Sequence, residues 1–219
     1  MDWTVLLPHI PRLMDGLLIT LWVTVLGTLA SVAGALLLAG AAASPFGPVR
    51  GIVRVYTEII LGLPILVLLY LIYFVAPDLG LRLDEISAGV LTLTLYYSPY
   101  MAEAIRGAVG SIPPGQIDAA RMVGMPGLSI ARRIVAPQVL GLVIPPLTGL
   151  MIGLAKDTAI LSVISVQEFA YRTKQVVSRT YAPFEVWTFV AVVYWMLLSA
   201  FETLMRGAEG RALRFRESR

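Results

Sequence analysis

The sequence predicts an all-α membrane protein with five transmembrane helices. Of its 219 residues, 58% are hydrophobic and only 14% are charged, and the mean hydropathy is +0.80. A soluble domain carries roughly 25% charged residues, so this chain has too little charge to cover the surface of a water-soluble enzyme. The apolar residues also form long runs, and positions 16–49 contain no Asp, Glu, Lys or Arg. Because a spanning helix needs about 20 mostly apolar residues, several of these runs can cross a bilayer.

The predicted spans follow the uncharged runs in chain order and cover residues 16–43, 53–75, 86–104, 137–161 and 184–204. Ser44 and Pro45 end the first span, because proline cannot continue the helical hydrogen-bond ladder. That span is too long for the apolar part of a signal peptide, so we expect it to remain as an anchor. Pro145 and Pro146 predict that the fourth span is bent or interrupted and lines a protein-enclosed path.

The basic residues predict which side of the membrane each connection faces. If five helices alternate, eleven basic residues lie on one side: Arg50, Arg54, Arg106, Arg121, Arg132, Arg133, Arg206, Arg211, Arg214, Arg216 and Arg219. Five lie on the other side: Arg12, Arg82, Arg172, Lys174 and Arg179. Cytoplasmic connections carry the excess of Lys and Arg, so we expect the N-terminus outside and the C-terminus in the cytoplasm. A four-span alternative would place the Arg-rich tail outside.

The composition excludes several kinds of chemistry. There is no cysteine and only one histidine, His9, so thiol nucleophiles, disulfides and His or Cys metal sites are excluded. The net charge of +3 is scattered between apolar runs, which is not the pattern of a nucleic-acid-binding protein. No G-x-x-x-x-G-K-[ST] loop occurs, so the chain has no phosphate-binding loop for ATP. We therefore expect no catalytic residue, metal or cofactor in this chain.

The segment between the third and fourth spans differs from the rest of the chain. Pro113 and Pro114 are typical of a helix start, and the following residues predict a short helix that ends at Gly124. We expect Gly124 to need a positive φ or a close approach to a neighbour. A second short helix is predicted from Pro126 to Pro137. The sequence thus indicates a helix–turn–helix that projects from the membrane.

Six residues of this segment stand at the spacing of a known signature: Asp118, Ala119, Ala120, Gly124, Ile134 and Pro137. The spacing is that of EAA-x3-G-x9-I-x-L-P, with Asp118 in place of Glu and Ala136 in place of Leu. The segment resembles the cytoplasmic coupling loop of bacterial ABC importer permeases. The resemblance implies a type I ABC importer permease fold, with one integral-membrane domain over residues 1–219 and a coupling loop at about 106–136. It assigns the six residues to contact with the ATPase, which the small Ala119 and Ala120 would let approach closely.

Further stretches resemble one branch of this family, the permeases for polar amino acids. They include residues 100–107, 112–116, 144–146 and 156–158, and the resemblance covers almost the whole chain. The branch implies uptake of histidine, glutamine, arginine, opines or a similar small zwitterion. Leu61 and Gly149 stand where the branch commonly has Arg and Asn. They leave open an importer for another solute, such as a compatible solute.

Polar residues within spans are costly and are candidates for function. The candidates for the substrate path are Asp157, Lys156, Thr158, Ser98, Tyr97 and Glu58. An Asp suits the ammonium of a zwitterionic solute and a Lys suits its carboxylate, while a tyrosine ring can bind a cation. Each also has a structural alternative. Lys156 and Asp157 could fix the fourth helix as an internal ion pair, Ser98 could serve the bend at Pro99, Tyr97 could be packing, and Glu58 could pair with Arg54 at i, i+4.

The resemblance also implies the partners and the location of the protein. It implies two ATPase subunits that bind ATP and Mg²⁺, a second permease copy or a sibling permease, and an extracytoplasmic solute-binding protein. The chain would lie in the lipid bilayer of a bacterial inner membrane as a multi-pass protein. An ion-coupled secondary transporter is the remaining alternative, and the lack of an internal repeat argues against it.

Overall fold

The computed structural model describes residues 2–217, with side chains described as far as Gly207. The tail arginines Arg211, Arg214 and Arg216 lie beyond the described side chains, and Arg219 lies outside the described residues. Their part in the predicted orientation therefore stays a prediction. Within the described range, every regular element is a helix, which confirms the predicted all-α class.

The α-helices follow one another in chain order: α1 (Ile10–Ala42), α2 (Gly47–Gly62), α3 (Ile65–Tyr70), α4 (Glu85–Gly110), α5 (Pro114–Met122), α6 (Gly127–Ile130), α7 (Ala136–Asp157), α8 (Phe169–Thr180) and α9 (Pro183–Glu217). Short helical segments of other pitch extend them. The 3₁₀ segments are Trp3–His9, Ala76–Leu79 and Thr158–Ile164, and the π-helical segments are Leu71–Val75 and Ala131–Val135.

Helix α1 packs along α4, and this pair forms the main contact of the bundle. The buried residues of α1 recur every three or four positions: Leu13, Gly16, Thr20, Val23, Gly27, Ser31 and Ala35. Four of these seven are Gly, Ser or Ala, the small residues that let helix backbones approach closely within a membrane. Helix α7 packs on the same core through Leu154, beside Leu93 and Met101 of α4. The other faces of α1 expose large apolar side chains, as expected of a helix in contact with lipid.

The second predicted span is broken, so the prediction of one continuous helix over residues 53–75 is wrong. Helices α2 and α3 meet at an angle of 109°. Pro64 has no N–H to donate, and it disfavours the helical conformation of the residue before it. Leu63 is accordingly extended, with φ −100° and ψ 137°. The two helices together form one bent element rather than a straight span.

Judged by length and composition, fewer helices can cross a membrane than the five that the sequence predicts. Within residues 2–217, three helical stretches are long and apolar enough to cross a membrane, Trp3–Ala42, Gly127–Ile164 and Pro183–Gly207, and the bent pair would be a fourth. Helix α4 is 26 residues long but is not one of them. Its Ser, Thr and Tyr residues lower its hydropathy. Five spans remain a proposal.

The segment between the fourth and fifth predicted spans is a helix and not the loop that the sequence analysis assumed. Helix α8 packs against the first half of α1 and against α9. Phe169 and Val176 of α8 are fully buried beside Leu13 of α1 and Val186 of α9. The basic residues Arg172, Lys174 and Arg179 therefore belong to an amphipathic helix that packs against α1 and α9.

Candidate functional site

The loop between α4 and α7 contains the six residues of the signature. Helix α5 begins at Pro114 and ends at Met122, and Gly124 follows it with φ +78°. The N–H groups of Gly124 and Met125 donate to the carbonyls of Arg121 and Ala120, which closes the end of α5. A positive φ favours glycine because it has no Cβ, so the turn has the conformation expected at this position.

The second helix of the loop differs from the prediction because it does not stop at Pro137. Helix α6 continues through the π-helical segment Ala131–Val135 into α7, whose second residue is Pro137. Pro137 has no N–H to donate to the preceding turn, and the helix passes it through a π-helical turn instead of ending there. Ile134 is half-buried and Pro137 is exposed. The coupling segment is thus continuous with the membrane helix that follows it.

The surface of this loop is apolar at its tip and basic at its rim. Met122, Val123 and Leu128 are 89%, 77% and 82% exposed. Arg132 and Arg133 lie in the next turn and are also exposed. Asp118 and Ala119 are exposed as well, whereas Ala120 is buried. These three apolar residues are not part of the signature, although large apolar side chains in an otherwise polar segment are a signal for a protein contact.

The contact between α4 and α7 brings two of the predicted path residues together. The hydroxyl of Tyr97 donates to Oδ2 of Asp157 over 2.7 Å. Gly153 lies one turn before Asp157, and a Cβ there would be 3.0 Å from the same hydroxyl. The rings of Tyr96 and Tyr100 lie beside Tyr97, with centroids 5.4 and 6.4 Å from its own. A carboxylate beside three aromatic rings can bind an organic cation.

The neighbours of Asp157 in sequence take no part in this contact. Lys156 is exposed, and within residues 2–217 no ion pair joins it to Asp157. Thr158 is fully buried, and its hydroxyl donates to the carbonyl of Ala155 over 2.8 Å. The alternative of an ion pair between the adjacent Lys and Asp therefore has no support in this part of the structure.

Ser98 and Glu58 are held by other contacts. Ser98 is buried, and its hydroxyl donates to the carbonyls of Thr94 and Ser31 at 2.6 and 3.3 Å. It fits closely beside Gly34 of α1, where a Cβ would collide with the Ser98 hydroxyl. Glu58 is exposed at the end of α2 and accepts from Arg54 over 2.8 Å. These contacts favour the structural alternatives for both residues.

A buried carboxylate that the sequence analysis missed lies between α1 and α8. Glu168 is 0% exposed and accepts from the N–H groups of Ala170 and Tyr171 at 2.8 and 2.7 Å. Thr20 of α1 also donates to it over 3.3 Å. Burial raises the pKa of the Glu168 carboxyl, and the two N–H groups oppose that shift. A Glu directly before an amphipathic helix is a weak signal for such a cap, since Ser, Thr, Asp and Asn are the usual residues there.

No metal centre accompanies these sites within the part of the chain that the structure describes. No group of three or more His, Cys, Asp or Glu residues in residues 2–217 is placed to hold a metal ion. The chain therefore presents two features of interest, a projecting loop and a Tyr–Asp contact, and α7 connects them.

Residues 31–212 match the family model described as the inner membrane component of binding-protein-dependent transport systems. The chain belongs to this family of ABC importer permeases. The permease is 34% identical to the probable glutamine ABC transporter permease of Bacillus subtilis, over 90% of this chain and 91% of that protein. It is also 34% identical to the glutamine transport system permease of Escherichia coli, over 96% and 97% of the two chains.

Solved structures agree with this assignment. A chain of an amino acid ABC transporter crystallised with histidines has a TM-score of 0.90 and 31% identity to the permease, over 96% of this chain and 99% of that one. The methionine transporter MetNI in an inward-facing conformation has a TM-score of 0.69 at 20% identity and shows the fold alone. Permeases of this family are membrane subunits without a cofactor of their own. They work with a solute-binding protein and with a separate ATPase subunit that hydrolyses ATP.

Proposed function

We propose that the permease imports a polar amino acid across the inner membrane of a bacterium. The observation that carries the proposal is the similarity to glutamine permeases over 90% or more of both chains. An arginine permease and a cystine permease of Bacillus subtilis are also similar, at 29% and 30% identity. The solutes named for these relatives are small zwitterions with a polar side chain or a charge.

The proposed topology has five spans, with the N-terminus outside and the C-terminus in the cytoplasm. Helix α4 counts as a span because it is about 39 Å long at 1.5 Å per residue, enough to cross a bilayer. Its Ser, Thr and Tyr residues can be tolerated because much of it packs against α1 and α7. The bent pair α2–α3 forms the second span. This arrangement makes residues 1–219 one membrane domain with the larger share of the basic residues in the cytoplasm.

The coupling loop, residues 106–136, carries the proposed contact with the ATPase at its tip. Met122, Val123 and Leu128 would enter the partner, because exposed apolar side chains surrounded by charge are typical of protein contacts. Asp118, Ala119 and Gly124 belong to the same surface, Ala120 is buried, and Ile134 and Pro137 lie where the segment enters α7. The full transporter would contain two permeases, identical or sibling, two ATPase subunits that bind ATP and Mg²⁺, and one binding protein. ATP binding would move the loop as a rigid body and alternate access to the path.

The path would take the solute past Asp157. Its carboxylate offers a partner for the ammonium group of an amino acid, and Tyr96, Tyr97 and Tyr100 offer ring faces beside it. Lys156, which directly precedes Asp157 and is exposed, offers a partner for the carboxylate of a solute. Ser98, Thr158 and Glu58 would contribute by supporting the helices, since their polar atoms are already held by neighbouring groups.

Uptake by the assembled transporter tests this function. The permease with its ATPase and binding protein is reconstituted into vesicles that hold ATP on the ATPase side. Radiolabelled L-glutamine, L-arginine, L-cystine and glycine betaine are then supplied on the other side. We expect ATP-dependent uptake of one of the amino acids, insensitive to ionophores. Uptake of glycine betaine alone would support a compatible-solute importer, and uptake driven by an ion gradient without ATP would support a secondary transporter; either result would overturn the proposal.

A further inference from the structure

A side-chain hydrogen bond connects the coupling helix α5 directly to the membrane helix α7. Nε2 of Gln138 donates to Oε1 of Gln116 over 2.7 Å, although the two residues are 22 positions apart. Gln116 is the third residue of α5 and Gln138 is the third residue of α7. Gln138 also donates to the carbonyl of Ile134 over 2.9 Å, which holds it against the π-helical turn before α7.

Helix α5 has few other attachments to the bundle. Ala120 is its one buried residue among the nine that the structure describes for it. Three residues, 111–113, connect it to α4. The connection to α7 runs through residues 123–135, which include the positive-φ turn at Gly124 and the π-helical segment. Glycine is conformationally permissive and π-helical turns are common places of helix kinks, so the backbone route from α5 to α7 contains two positions at which it can bend.

Helix α7 leads from this hydrogen bond to the Tyr97–Asp157 contact. Gln138 lies in its first turn and Asp157 is its last residue. The two are 19 positions apart, or about 28 Å along a helix. The sequence predicts a bend or an interruption at Pro145 and Pro146, but α7 runs as one helix from Ala136 to Asp157 with both prolines inside it. A push on Gln138 would therefore reach the candidate path through one continuous helix.

We propose that Gln116 and Gln138 are positioning residues, which together form a strut that transmits the movement of the coupling helix to α7. The inference rests on the proposed role of the coupling loop and adds the route by which its movement reaches the path. Without the strut, α5 could follow the ATPase while the deformable turn absorbed the movement. ATP would then be hydrolysed with little solute transported. The strut thus sets the number of solute molecules moved per ATP and not the binding of the ATPase.

Substitution by methionine tests the strut, because methionine has nearly the length of glutamine but makes only weak hydrogen bonds. In Gln116→Met and Gln138→Met, we expect normal co-purification of the ATPase and normal ATP hydrolysis. Solute uptake per ATP should fall about threefold to tenfold, the ratio that corresponds to a lost hydrogen bond. The double variant should be no worse than either single variant, because one interaction is lost in all three.

Two further variants separate the strut from a general effect on stability. Gln116→Glu keeps the acceptor oxygen and should keep normal coupling. Gln167→Met changes an exposed glutamine between the Thr158–Ile164 segment and α8 and should have no effect. Gln138→Met also removes the hydrogen bond to the carbonyl of Ile134. If that variant assembles poorly for this reason, Gln116→Met carries the test alone.

Unchanged coupling in Gln116→Met would overturn the strut, and so would loss of the ATPase from that variant. Both results differ from a failure of the proposed function. If the proposed coupling role of the loop were wrong, a variant that disrupts the Gly124 turn would also transport normally.

Discussion

Replacement of Gly124 by valine is expected to abolish transport while the permease still inserts into the membrane. Gly124 has φ +78°, a conformation that is strongly disfavoured for a β-branched residue. An added Cβ would meet no atom within 4 Å, so the effect comes from the backbone and not from a collision. The turn must adopt another conformation, which misdirects α5 relative to α6. Uptake and co-purification of the ATPase measure the result.

The matched control at this position is Gly124→Asn. Asparagine visits the left-handed region more readily than other side chains, so this variant should retain most of the transport and bind the ATPase. The comparison separates the conformation of the turn from the mere presence of a side chain. Normal uptake in Gly124→Val would show that the turn is not needed for coupling.

Replacement of Asp157 by asparagine is expected to abolish uptake in a fully assembled complex. The side chain keeps its shape, and its Oδ1 atom can still accept the hydrogen bond of Tyr97, but the negative charge is lost. A charged residue within a span costs about 2.5–3.5 kcal/mol on insertion scales, so removal of the charge does not by itself hinder insertion of the chain. We therefore expect normal assembly and basal ATP hydrolysis, and no stimulation of hydrolysis by the loaded binding protein.

Tyr97→Phe makes the opposite change, because it removes the hydrogen bond and leaves the charge of Asp157 in place. If Asp157 binds the solute, this variant should keep much of its uptake. If Asp157 only holds α4 against α7, Tyr97→Phe should be at least as harmful as Asp157→Asn. Both should then lower the thermal unfolding temperature of the purified complex. That outcome would remove Asp157 from the path.

Hydropathy located the membrane helices but not their internal breaks or their amphipathic neighbours. The spans near α1, α7 and α9 were predictable because long uncharged runs have few alternatives to a membrane helix. The break at Leu63 was missed, since a single proline within an apolar run can also be accommodated as a kink. Helix α8 was missed because its buried residues, Phe169 and Val176 among them, are separated by polar residues and resemble a loop.

The candidate sites were predictable to different degrees. The turn at Gly124 followed from local sequence, because a glycine directly after a short helix commonly takes a positive φ. The contact between Tyr97 and Asp157 joins residues 60 positions apart, and the strut joins residues 22 apart. No local pattern encodes such pairs. They depend on how α4, α5 and α7 pack, which a single sequence does not reveal.

A cysteine at Met122 tests most directly whether the coupling loop lies in the cytoplasm and contacts the ATPase. The chain contains no cysteine, so an introduced thiol is unique in the permease. Met122 is 89% exposed on the loop, and Leu79, at 84%, provides a control on the proposed outer side. With a short thiol-reactive photo-cross-linker, Met122→Cys should cross-link to the ATPase in the assembled complex, and Leu79→Cys should not. Cross-linking of Leu79→Cys to the ATPase, with Met122→Cys reactive only from outside, would contradict both the orientation and the coupling role.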